Sequence, residues 1–205
     1  MMRLTREFYM MDGLTLAEAL LGKVLVHETE EGITSGIIVE TEAYMGPEDK
    51  AAHTYKAKRT SRTEVIFGEG GHAYVYLVYG LHCCFNVTAN ISGKPECVLI
   101  RALAPLEGVG LMMSRRRTDR VRSLCDGPGK LCSALGITCE LYGEDLCGDE
   151  LYILDEGNRN VEVIATPRIG IDYAEEYRDV CWRFCLAGSG YLSTKKPSAH
   201  LRTDG

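Results

Sequence analysis

The 205-residue chain contains no apolar run approaching the ~18–20 residues that a membrane-spanning helix needs. Its start, Met1-Met2-Arg3-Leu4-Thr5-Arg6, lacks the apolar stretch of a secretory signal, so a cytoplasmic location is expected. No C-x-x-C pair occurs among the nine cysteines, which removes the spacing of zinc ribbons and thiol redox motifs. An odd count without a signal peptide argues against a disulfide framework; reduced thiols, several packed as small hydrophobes, are expected instead. Internal repeats, low-complexity tracts and Pro/Ser-rich linkers are missing too. One domain over residues 1–205 is the simplest account.

Positive charge is in deficit. Lys and Arg number 23 against 29 Asp and Glu, a net charge of −6. That counts against a protein that coats nucleic acid non-specifically. A local basic face is still open, because the field at a groove depends on where charges sit. Lys56, Lys58, Arg59 and Arg62 form one basic cluster, and Arg115, Arg116, Arg117, Arg120 and Arg122 form another. Each is either solvated surface or a nucleic-acid contact.

What is present is ordinary for a globular protein: 45% hydrophobic and 25% charged residues. Thr15-Leu16-Ala17-Glu18 fits a capping box, with Gly22 as the stop of a short helix. Lys23 to Glu30 alternates as a strand, Glu31-Gly32 turns, and Ile33 to Tyr44 returns. Residues 45–72 read as a loop. Ala73 to Tyr79 is strongly β-prone, Gly80 marks a reversal, and Leu81 to Ala89 runs back. Cys97 to Leu103 is a further strand. Pro105 suits the first turn of a helix reaching about Arg117, and Gly127-Pro128-Gly129-Lys130 precedes a helix ending near Gly136. Short strands at 150–155, 161–165 and 182–187 follow. The pattern predicts an α+β fold, a curved antiparallel sheet with flanking helices and a protruding hairpin.

Four places combine residue types that can carry chemistry. In Glu40-Thr41-Glu42-Ala43-Tyr44, strand alternation puts Glu40, Glu42 and Tyr44 on one face. This is either a solvent-facing edge or a general base beside an aromatic wall. In Tyr74-Val75-Tyr76-Leu77-Val78-Tyr79, Tyr74 and Tyr76 share a face and Tyr79 stands by the reversal. There it either packs or wedges into a base stack. Arg101 interrupts an apolar strand on the face of Cys97 and Leu99. It needs a partner, in a structural salt bridge or in a site. Gly127-Pro128-Gly129-Lys130 offers a glycine-permitted approach and a helix start to a phosphate. It does not match the G-x-x-x-x-G-K-S/T loop, which excludes ATP binding of that type.

Taken together and in order, IIVETEAYMGPEDKAAH, GHAYVYLVYGLHCCFNV, VLIRALAPLEG and DGPGKLCSALGI resemble the alkyladenine (3-methyladenine, methylpurine) DNA glycosylase family, from Leu4 to Ser193. The resemblance implies base excision from double-stranded DNA with damaged purines. It makes Glu42 the catalytic carboxylate that deprotonates a water, and Arg101 the arginine beside it. Tyr44, His53, Tyr76 and Asn86 become the base pocket, with Asn86 crowding the amino group of guanine. Tyr79 becomes the residue that fills the gap left by a flipped nucleotide. Arg62, Gly129 and Lys130 become DNA-backbone contacts. The implied fold is similar to the barrel-like C-terminal domain of formyltransferases. The implied enzyme is a monomer of bacterial type without metal or organic cofactor, acting at the nucleoid. The chain departs from the family at Thr60-Ser61-Arg62-Thr63, where T-P-R-N is usual, and at Gly188-Ser189-Gly190, which lacks a proline. The alternatives are a non-catalytic damaged-DNA binding protein of the same fold and a small-molecule enzyme on the same sheet.

Overall fold

Residues with β propensity dominate the middle of the chain, and they form one nine-stranded antiparallel sheet in the computed structural model, which describes residues 2–157 and 162–194. The strands are β1 (Met2–Arg3), β2 (Val24–Thr29), β3 (Gly32–Tyr44), β4 (Ala73–Val78), β5 (His82–Ala89), β6 (Glu96–Glu107), β7 (Leu151–Asp155), β8 (Val163–Thr166) and β9 (Arg183–Leu186). Their order in space is β1-β7-β2-β3-β6-β5-β4, and β9 adds to the far half of β3 and carries β8. The row ends at β1 and β4, so the sheet is open. Helices α1 (Arg6–Tyr9), α2 (Gly13–Ala19), α3 (Val109–Arg116) and α4 (Pro128–Leu135) complete the expected α+β arrangement. Among the described residues no helix is long and apolar enough to cross a membrane.

Strand β3 is central over most of its length, from Ser35 onward. It pairs with β6 on one edge, and with β2 and then β9 on the other. Its apolar face meets the helices. Leu16 of α2, Met112 of α3 and Leu131 and Leu135 of α4 share one core with Ile38, Ala43, Phe85, Val98, Ile100 and Phe184. Each fully buried side chain of that size contributes roughly 1.5–3 kcal/mol. Thr41 belongs to this face, and its hydroxyl donates to the carbonyl of Ala17 at 2.8 Å. Parity then sends Glu40, Glu42 and Tyr44 to the opposite face.

The β3–β6 ladder is interrupted where the site lies. Its register runs Ile38↔Leu103, Glu40↔Ala102, Thr41↔Ile100, passing over Val39 on one strand and Arg101 on the other. Two opposed bulges cancel in register, so the flanking pairs stay aligned. A bulge re-aims the side chain it carries, and here that side chain is Arg101.

Several boundaries differ from the sequence reading. Helix α2 is capped by Asp12, whose carboxylate accepts from the backbone of Leu14 and Thr15 and from the Thr15 hydroxyl. Thr15 therefore sits inside the helix rather than at its cap. Pro105 lies in β6 opposite Gly36, not in a helix. It is tolerated because β5 pairs β6 only over Glu96–Leu99, so the stretch beyond has a free edge. Helix α3 starts instead after Gly108, at φ 70°. Helix α4 stops at Gly136 as expected, but it begins at Pro128, so Pro128, Gly129 and Lys130 form its first turn instead of preceding it. Of the 161–165 strand, residue 161 lies outside the described residues, Glu162 is not in a strand, and β8 runs on from Val163 to Thr166. The loop at 45–72 contains three single-turn helices that the pattern did not announce.

Candidate active site

Glu42 is fully buried, which rules out the solvent-facing edge. Its carboxylate accepts three hydrogen bonds. The Tyr44 hydroxyl donates to Oε2 at 3.0 Å, Arg101 Nη1 donates to the same oxygen at 3.2 Å, and the Ile169 backbone N–H donates to Oε1 at 2.8 Å. Glu42 adds no surface to the neighbouring cleft, but all three of its partners line that cleft. A carboxylate offers about four lone-pair sites, so one donor more can be taken. Burial first, then the charge of Glu42, pushes the Tyr44 phenol well above its ordinary range, so it remains a donor.

The cleft has a volume of about 630 Å³. Tyr44, His53, Tyr76, Asn86 and Arg101 all line it, so the five pocket and site positions read from the sequence converge. Tyr74, which the sequence placed on the face of Tyr76, is buried behind it, with ring centroids 5.1 Å apart. His53 packs edge-on to Tyr76 at 4.8 Å, and its Nδ1 lies 2.8 Å from the Tyr74 hydroxyl. Part of the imidazole faces solvent, yet its packed side counts for more. Desolvation first, then the charges of Arg62 and Lys58, hold it down to about 4, so it is neutral at physiological pH. The Asn86 amide donates to the Tyr74 carbonyl at 2.9 Å, which fixes it as a wall.

Tyr79 tops the β4–β5 hairpin and is 92% exposed. Tyr79 and Gly80 have φ of 53° and 69°, and Leu81 N–H closes the turn on the Val78 carbonyl at 3.2 Å. Positive φ at both central positions marks a primed hairpin turn. The ring stands between this cleft and a second one of about 590 Å³, since it lines both. Gly129 and Lys130, at the start of α4, line only the second. Lys130 is held by Asp126 at 2.7 Å. Arg62 stands over the Tyr76 ring, its guanidinium carbon 4.6 Å from the centroid, so it is a wall of the cleft as well as a surface cation. Of the other cluster members, Arg59 is paired with Glu64 and Arg115 with Glu31.

Sequence reasoning missed the framework behind these residues. Glu40 is fully buried and receives Arg101, Arg183 and Ser193. Asp49 and Arg168 form a fully buried bidentate pair at 2.6 and 2.8 Å. Arg168 also donates to the Ala43 carbonyl and lies against the Tyr44 and Trp182 rings. This pair sets Ile169, the next residue, against Glu42. All nine cysteines are free thiols. Among the described residues no group of three or more His, Cys, Asp or Glu side chains could hold a metal.

A family model described as methylpurine-DNA glycosylase matches residues 7–190. A protein of Desulfitobacterium hafniense that bears the name 3-methyladenine DNA glycosylase is 51% identical over 203 residues, covering 95% of this chain and all of that one. Proteins so named from Clostridium acetobutylicum and Clostridium botulinum are 49% and 45% identical over the same length, covering 95% of this chain and 99% and 100% of theirs.

Proposed function

This chain belongs to the methylpurine-DNA glycosylase family, and we propose that it cuts a flipped, damaged purine from its sugar with one water that Glu42 deprotonates. The enzyme is a DNA glycosylase, a hydrolase of N-glycosidic bonds. A base in a duplex is out of reach, so it must leave the stack at a cost of a few kcal/mol. Tyr79 fills the space it vacates. Arg62, Gly129 and Lys130 hold the backbone on either side of the hairpin. The base lodges between Tyr44 and Tyr76, with His53 and Asn86 at its edges. Alkylated purines carry positive charge, and aromatic faces attract cations by ~0.5–2 kcal/mol. A neutral lesion such as hypoxanthine enters the same pocket, but its departure requires a proton.

Water enters between Tyr44 and Arg101 and donates one proton to Glu42. Its oxygen forms a bond to the anomeric carbon as the bond to the purine breaks. The bonding pair leaves with the base, and an abasic sugar remains. No lysine nucleophile takes part, so the strand is not cut.

The observation that carries this reading is the Glu42 carboxylate, held by Tyr44, Arg101 and Ile169 with capacity for one more donor. Single-turnover excision from a duplex with one 3-methyladenine or hypoxanthine tests it. Glu42→Gln loses about a hundredfold or more in rate, the scale of general-base catalysis, while still binding the duplex. Undiminished excision by that variant removes Glu42 from the role.

A further inference from the structure

The buried charges around Glu42 are shared unequally. Arg101 donates its Nε to Glu40 Oε1 and its Nη1 to Glu42 Oε2, both at 3.2 Å. Charge-assisted bonds of this type are usually ~2.7–2.9 Å, so the guanidinium is stretched between two carboxylates and closes on neither. Glu40 is also bound from elsewhere. Its Oε1 accepts from Arg183 Nε and the Ser193 hydroxyl, both at 2.7 Å, and its Oε2 accepts the Ser193 N–H at 2.6 Å. Arg183 is itself fixed by Thr166 and Thr194. Every group facing Glu40 is a donor, so only an acceptor on both oxygens suits the position. Burial opposes its charge, but the Ser193 N–H, Arg183 and Arg101 overcome this and keep the carboxyl below its usual range.

We propose that Glu40 is a positioning residue of the hydrolysis: it holds Arg101 back from Glu42, so that Glu42 keeps a lone pair for the attacking water. Freed from Glu40, Arg101 would close fully on Glu42 and fill the site the water needs. The bulge at Arg101 places the guanidinium between the two carboxylates, and β9 brings Arg183 to brace Glu40 from the other edge. The proposal rests on Glu42 being the base.

The test compares the wild type with Glu40→Gln, Glu40→Asp, Arg101→Ala and the double variant of Glu40→Gln with Arg101→Ala. Glu40→Gln lowers the single-turnover rate about tenfold to a hundredfold, the cost of a small displacement at a reacting group. Its affinity for a duplex carrying a tetrahydrofuran abasic-site analogue stays the same. Glu40→Asp restores part of the rate by restoring the charge. In the Arg101→Ala background the Glu40→Gln change costs nothing further, because residues that act as a unit are non-additive. Equal loss in both backgrounds, or a fall in affinity matching the fall in rate, overturns the proposal in favour of a merely structural role. Should Glu40→Gln not fold, Glu40→Asp and its cycle with Arg101→Ala separate the same two outcomes. Excision by Glu42→Gln at the wild-type rate would sink the base assignment instead, a distinct result.

Discussion

In the proposed reading Arg62 belongs to two parts of one binding event. Its guanidinium covers Tyr76 inside the cleft, yet the residue is exposed. A purine methylated at its ring nitrogen is a cation and hypoxanthine is neutral, so a fixed positive charge against the pocket wall works against the first and not the second. Removing it should therefore change the choice of substrate. Arg62→Ala is expected to raise excision of 7-methylguanine relative to hypoxanthine by about two- to fivefold, the equivalent of ~0.5–1 kcal/mol. Competing the two lesions in one reaction measures the ratio directly. If both rates fall in parallel, Arg62 serves the phosphates alone. Much of this pocket could be read from local pattern: strand parity put Glu40, Glu42 and Tyr44 on one face, and a charge inside an apolar strand singled out Arg101. Ile169, Arg168, Asp49 and Arg183 could not be read that way. Each acts on a partner over a hundred residues away in sequence or through a backbone N–H, and neither leaves a local mark.

In the proposed reading the hairpin of β4 and β5 is the element that faces the duplex. Its tip carries Tyr79, with exposed Leu77 and Leu81 close by, an apolar group that has no internal packing to account for it. Tyr79→Ala should leave the fold nearly untouched, within about 0.5 kcal/mol by urea denaturation, as expected for an exposed position. Excision should suffer in duplex DNA and much less in a single strand, where no stack has to be opened. Equal losses on the two substrates would show that the ring contacts the nucleotide itself instead of the gap it leaves. This element was legible because β propensity and the Tyr-Gly reversal are local signals. Pro105 misled for the opposite reason: its preference for a helix start is local, but the pairing of Ser35 and Gly36 with β6 is not, and the free edge beyond β5 removed the usual objection to proline in a strand. The bulges at Val39 and Arg101 escaped for the same cause, since register between strands so far apart in sequence is decided by packing.

At the scale of the whole molecule, a net charge of −6 has to coexist with binding to a polyanion. The structure reconciles them by sign of partner. Arg3, Arg6, Lys50, Arg59 and Arg115 are each paired with a carboxylate, so they add little to the outer field. Among the described residues Lys56, Lys58 and Arg62 have no carboxylate partner, and they occupy one segment beside the cleft. Lys130 lies across the hairpin, paired with Asp126, and in the proposed reading exchanges that carboxylate for a phosphate. Three or so phosphates neutralised by this rim give an affinity whose logarithm falls with that of salt at a slope of about −3, at roughly 0.9 per contact. Fluorescence anisotropy on a lesion duplex over roughly 50–200 mM salt, a range in which the effect is large, supplies that slope. Lys58→Ala should flatten it by about one and weaken lesion and undamaged DNA alike. A slope near zero would mean that the cations beside the cleft do not meet the backbone. One steeper than about −6 would bring in Arg117, Arg120 and Arg122, more contacts than the rim can supply.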